Sequence, residues 1–148
     1  MSELIRFDNL SNFGVKNCSM FAVYDGHGGA DCCNFLKENL HTYVLNTLTP
    51  SDLKASIKQS CNKVDSDFLK KCRDERGFDT SGSCGLALII LGRHSSLDNN
   101  LVFVNVGDSR AVLSKGEGAE VQICTYDHKP QFFGEMQRVF KNGGQLYR

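Results

Sequence analysis

The stretch Phe21-Ala22-Val23-Tyr24-Asp25-Gly26-His27-Gly28-Gly29-Ala30 is an apolar run that stops at an acid, a histidine and a cluster of glycines. It reads as a buried strand over Ser19 to Tyr24 that delivers Asp25 and His27 into a flexible turn ahead of a helix. Hard cations bind carboxylates and backbone carbonyls, so an Asp-Gly pair at a strand end can seat magnesium or manganese. His27 adds a group that moves a proton near neutral pH. Taken alone, the stretch leaves a plainer reading open, with Asp25 merely capping the turn into the helix.

Downstream, apolar residues Cys33, Leu36, Leu40, Tyr43 and Leu48 recur at helical spacing between Ala30 and about Leu48, which predicts an amphipathic helix covering one side of a sheet. A second helix is expected after Pro50, with Ser51 or Asp52 as its cap and Leu53, Ile57, Cys61, Val64, Phe68 and Cys72 along one stripe, closing near Arg76-Gly77. Its lysines, Lys54, Lys58, Lys63, Lys70 and Lys71, read as a solvated face. The period then shortens. Cys84–Leu91 and Leu101–Val106 are near-continuous apolar runs flanking the loop from Gly92, and Ala111–Ser114 and Glu120–Thr125 follow across tight turns. These four runs predict an antiparallel meander, with a short helix over Gly134–Lys141. Residues 3–10 are read as one more short strand. Helices segregated onto antiparallel strands make an α+β layered fold. Three acids fall at element ends: Asp25, Asp108 and Asp127, the last beside His128. Two carboxylates side by side are costly unless a cation neutralises them.

The chain of 148 residues, 41% hydrophobic, with 17 basic and 17 acidic side chains, can bury one modest core. Its balanced charge carries no block that a nucleic-acid partner would need. Seven cysteines form an odd set without Cys-x-x-Cys spacing, which argues against a disulfide framework or structural zinc and for reduced thiols in a cytoplasmic or nuclear protein. Neither a secretory leader nor a membrane-length apolar run is present, so export and a membrane partner are not expected. Both ends read as cut from something longer.

The ordered motifs Asp25-Gly26-His27-Gly28-Gly29, Ser81-Gly82-Ser83, Asn105-Val106-Gly107-Asp108-Ser109-Arg110, Asp127-His128-Lys129-Pro130, and Glu135, Arg138 and Gly143-Gly144 resemble those of the metal-dependent type 2C protein phosphatases. Each is weak alone, but together and in this order they are specific, and they cover residues 19–146. The resemblance implies an α/β/β/α sandwich of two antiparallel sheets flanked by helices, with 1–148 forming the N-terminal and central part of the phosphatase domain. It implies hydrolysis of phosphoserine and phosphothreonine in a phosphoprotein substrate, with Mg2+ or Mn2+ as cofactor. Matched by motif, Asp25 is the carboxylate bridging two ions, the Gly26 carbonyl is a ligand of one, Asp108 belongs to a third and looser metal position, and His27 protonates the leaving alkoxide.

Paired cations lower the pKa of a shared water and neutralise phosphoryl charge, so no enzyme nucleophile is required. Cys84, in an apolar strand where the family often has threonine, is read as packing. Ser81, Gly82 and Ser83 are read as a turn entering a strand, Arg110 as pairing with an acid or carbonyl, Asp127–Pro130 as a capped turn before the helix, and His41 and His94 as surface residues. The chain also departs from the family pattern. The expected phosphate-holding arginine and Glu-Asp pair do not precede Phe21, since Arg6 and Asp8 have the wrong spacing, and two later aspartates are absent. So few ligands would hold magnesium weakly, and the chain alone is expected to be nearly inactive. The alternative is a non-catalytic pseudophosphatase serving as a binding or regulatory module. A small phosphate- or nucleotide-binding module is disfavoured, because the Gly-x-x-x-x-Gly-Lys spacing is missing.

Overall fold

The computed structural model describes residues 2–5, 18–49, 51–75, 79–91, 100–114, 116 and 120–147. In chain order they form β1 (Ser2–Ile5), β2 (Ser19–His27), α1 (Asp31–Thr47), α2 (Leu53–Glu75), β3 (Gly82–Leu91), β4 (Asn100–Val106), β5 (Val112–Ser114), β6 (Val121–Ile123) and α3 (Phe133–Lys141). Arg6, Asp8, the expected helix end at Arg76-Gly77, His94 and most of the loop from Gly92 lie outside the described residues.

Strand alternation decides which face meets the helices. Met20, Ala22 and Tyr24 on β2 are buried, and so are Ala87, Ile89 and Leu91 on β3. The register Met20↔Ile89 and Ala22↔Ala87 aligns the two sets on one face, as a period of two requires. Cys33, Leu40, Val44 and Leu48 of α1 with its following residue, and Ile57 and Val64 of α2, complete this core, with Val102 and Val104 of β4 against it. Each fully buried aliphatic side chain contributes roughly 1.5–3 kcal/mol. The opposite face carries Phe21, Val23, Leu86, Leu88, Leu101 and Phe103, which are half-buried or exposed.

The helix pair follows from local chemistry. The Asp52 carboxylate accepts the Ala55 N–H at 3.0 Å, capping α2. Buried Ser56 and Ser60 keep the contact with α1 narrow. Their hydroxyls are satisfied locally: Ser60 Oγ donates to the Ser56 carbonyl at 3.0 Å and meets the Thr47 hydroxyl across the interface. Tyr43 donates to Asp67 at 2.6 Å, and the Phe35 and Phe68 rings lie 5.4 Å apart. His41, expected at the surface, is half-buried, because it lies on the flank of α1 rather than on its outermost side.

The α+β class holds, with two antiparallel sheets and three helices among the described residues. The meander does not form one ladder, however. β3 and β4 pair as the expected hairpin and join a four-stranded sheet of order β1-β2-β3-β4, whereas β5 and β6 form a separate two-stranded sheet. The chain leaves β4 at Gly107, whose φ of 99° takes it out of the ladder. The Thr125 hydroxyl then ties down the Ala111 N–H at 2.9 Å, fixing the second sheet's base.

Ile89 is 1% exposed at the centre of this core. Ile89→Ala should therefore lower unfolding stability by about 2–5 kcal/mol, read from urea denaturation. A loss below about 1 kcal/mol would contradict the packing described.

Candidate functional site

The motif that the sequence places in a turn is mostly strand. β2 continues through Asp25, Gly26 and His27, which pair with Cys84, Ser83 and Gly82 of β3. Ser81–Ser83, expected as a turn entering a strand, do enter one: Ser81 precedes β3, and Gly82 and Ser83 are already its first residues. Strand continuation here depends on space: a methyl on Gly26 would meet Cys33 Sγ at 2.9 Å, and one on Gly82 would meet His27 Cε1 at 2.5 Å. The turn itself starts at Gly28, where φ is 66° and a Cβ would stand 2.8 Å from the Thr80 carbonyl oxygen. Ser81 Oγ then accepts the Cys32 N–H at 3.0 Å, pinning the first turn of α1 to the start of β3.

Asp25, Gly26 and His27 are exposed at this sheet end. Asp108 reaches the same end from the other side of β3. Gly107 leaves no room for a side chain, since a Cβ would lie 2.3 Å from Cys84 Sγ. Cys84 packs into that notch and its thiol donates to Asp108 Oδ1 at 3.3 Å. Cys84 thus stands between the acids, with Asp25 opposite it in the ladder and Asp108 on its sulfur. Burial pushes the Cys84 thiol up, and the charges of Asp108 and Asp25 add to the rise. That excludes a ready thiolate, in line with the packing role read from the sequence.

The third acid is committed elsewhere. Asp127, 6% exposed at its side chain, accepts Arg110 Nε at 3.0 Å and Nη2 at 2.9 Å, the forked geometry that suits guanidinium to carboxylate. Arg110 thus pairs with an acid as expected. The turn expected before the helix is closed by the backbone, Phe132 N–H donating to the Lys129 carbonyl at 3.0 Å, while the Asp127 carboxylate faces Arg110. Lys129 Nζ lies 3.5 Å from Asp127 Oδ2 and 3.7 Å from Asp108 Oδ2. Backbone bonds hold the segments together: His128 N–H donates to the Gly107 carbonyl at 2.9 Å, and Asn105 Nδ2 donates to the Tyr126 carbonyl at 2.8 Å. Glu135 and Arg138 pair with each other along α3 and line an open groove with Asn105, Gly107 and His128.

Oxygen donors from Asp25 and Asp108 on either side of one strand suit a hard cation in kind. In number they are short, because among the described residues no group of three or more His, Cys, Asp or Glu side chains is arranged to hold a metal ion. Sequence reasoning missed Cys84 as the residue joining Asp25 and Asp108, and Lys129 as the neighbour of Asp108 and Asp127. Neither leaves a spacing signal, since each acts through strand pairing or side-chain reach.

Residues 2–148 match the family described as Protein phosphatase 2C. The chain is similar to "Probable protein phosphatase 2C member 13, mitochondrial" of Oryza sativa subsp. japonica, 36% identical over 91% of this chain and 35% of that protein. It is similar also to "Probable protein phosphatase 2C 2" of Arabidopsis thaliana, 35% identical over 95% of this chain and 35% of that protein. The chain thus spans about a third of the length of these curated relatives. Among solved structures, a C. elegans sex-determining protein aligns with TM-score 0.71 and 26% identity over 91% of this chain and 32% of that one. The serine-threonine phosphatase 2C of Toxoplasma gondii, at TM-score 0.64 and 19% identity over 97% of this chain and 53% of that one, bears on the fold alone.

The Arg110 fork, with a smaller contribution from Lys129, holds the Asp127 carboxyl below its ordinary range. The unfolded value is about 4, so this pairing contributes stability above that pH and loses it as pH falls through the lower folded value. Arg110→Gln should shift the acid-unfolding midpoint to higher pH in a far-UV circular dichroism titration. An unmoved midpoint would mean that the pair carries no folding free energy.

Proposed function

This chain belongs to the protein phosphatase 2C family, and on that premise we propose that it forms the N-terminal and central part of a metal-dependent protein serine/threonine phosphatase domain. The observation that carries the reading is the convergence of Asp25 and Asp108 on Cys84 at one end of the sheet. In this reading the Asp25 and Asp108 carboxylates and the Gly26 carbonyl hold Mg2+ or Mn2+. Such a cation, when bound, supplies an acidified water and neutralises phosphoryl charge. His27, exposed beside Asp25, would give a proton from its imidazolium, leaving imidazole, to the serine or threonine alkoxide as the ester P–O bond breaks and water adds to phosphorus.

The substrate is a phosphoprotein, and the compartment is cytoplasm or nucleus. None of the seven cysteines forms a disulfide, and no described helix is long and apolar enough to cross a membrane. Two carboxylates and a carbonyl hold magnesium weakly, so the 148-residue chain by itself has little activity. One observation favours the non-catalytic alternative: both oxygens of Asp108 already face internal partners, Cys84 and Lys129.

The test is Mn2+-dependent hydrolysis of a phosphothreonine peptide, by the chain and by any longer product carrying it, with Asp25→Asn alongside. The substitution should reduce the rate by about a hundredfold or more, the loss typical when a key charge-stabilising group is removed. An active parent whose rate survives Asp25→Asn would sink the proposed centre.

A further inference from the structure

We propose that Lys129 is an internal counter-ion which competes with a divalent cation for Asp108, so that this part of the site binds metal only when the lysine swings away. The inference rests on the reading of Asp108 as a metal ligand and adds the residue that sets how tightly it can act as one.

The geometry is specific. Asp108 Oδ1 accepts the Cys84 thiol at 3.3 Å, and Asp108 Oδ2 faces Lys129 Nζ at 3.7 Å. Both carboxylate oxygens are therefore engaged from within the chain. Lys129 is not a stray surface lysine. Its side chain is 35% exposed, the neighbouring His128 N–H is bonded to the Gly107 carbonyl, and its own carbonyl accepts the Phe132 N–H at 3.0 Å. A second carboxylate, Asp127, holds the same ammonium from 3.5 Å, while Arg110 holds Asp127.

Charge decides the consequence. Asp108 and Asp127 against Arg110 and Lys129 make a neutral group of four. A dication arriving at Asp108 would leave the group strongly positive, with the ammonium a few ångströms from the metal. Mutual repulsion then either expels the cation or turns Lys129 toward solvent, which its flexible stem permits. Without the lysine charge, the group presents a net negative site. A single positive charge at such range is worth about tenfold in dication affinity even at a solvent-rich surface.

The measurement is a manganese(II) titration of the 15N-labelled chain, followed by paramagnetic broadening of the amides at the acidic sheet end, Gly107–Arg110 together with Asp25–His27. Lys129→Gln should need about tenfold less Mn2+ than the parent to half-broaden Gly107–Arg110, and Lys129→Arg, which keeps the charge, should stay near the parent. Adding Asp108→Asn should erase the gain. Lys129→Gln binding no tighter than the parent would overturn the proposal while leaving Asp108 a ligand. Equal Mn2+ needs in the parent and in Asp108→Asn, with a weaker response in Asp25→Asn, would overturn it and remove Asp108 from the centre, with Asp25 still standing. No broadening at either segment would overturn both this proposal and the metal reading. The undisturbed amides report folding of each variant in the same spectra.

Discussion

The pairing of β2 with β3 is the constraint on which the rest depends. From Ser19↔Ile90 to His27↔Gly82, one register performs two tasks. Through Met20, Ala22 and Tyr24 it aims a set of side chains at the helices, and through Asp25 and His27 it aims the alternate set at the other face. A slip of one residue would exchange them, burying a carboxylate against α1 and exposing the core. Core packing therefore enforces the position of Asp25 opposite Cys84, and the close approach of Gly107 to Cys84 transmits that position to Asp108. Site geometry here is a by-product of hydrophobic alignment.

Electrostatics completes what packing begins. The chain is neutral overall, yet its charges are sorted locally. Asp127 is nearly covered and is held by a guanidinium fork, whereas Asp25 and Asp108 stay exposed at the end of the sheet. A thiol lies between those two acids, and it is kept protonated by its burial and by their field. A cysteine in such surroundings is a poor target for oxidants, which attack the thiolate.

Much of this was legible from residue order, and the remainder was not for definite reasons. Helical spacing located α1 and α2 because amphipathic period is a local property, although it passed over Ser56 and Ser60, whose burial depends on how closely two helices meet. The apolar runs located β3 and β4, but no local pattern states which strand lies beside which, so the departure of β5 and β6 into their own sheet was invisible. Glycines near Asp25 and Cys84 read as turn formers, yet at Gly26 the missing side chain makes room for Cys33 of α1 and at Gly82 for His27 of the neighbouring strand. That Arg110 meets an acid is readable from its motif, but that the acid is Asp127, at the head of the turn before the helix, depends on how the chain folds back. Asp25 and Asp108 were found through motif order. Their connection through Cys84 required the ladder.

The same ladder has a kinetic meaning. Asp25 and Cys84 lie on opposite sides of two entire helices in the chain, so their contact cannot form until a long loop has been closed against its entropy. Helices α1 and α2 can form and pair from neighbouring residues, but the acidic end of the sheet has to wait for non-local strand docking, the slow class of folding event. Half-folded molecules would therefore carry the helical pair without the chemistry, and competence at this site would arrive late, together with the final closure of the sheet.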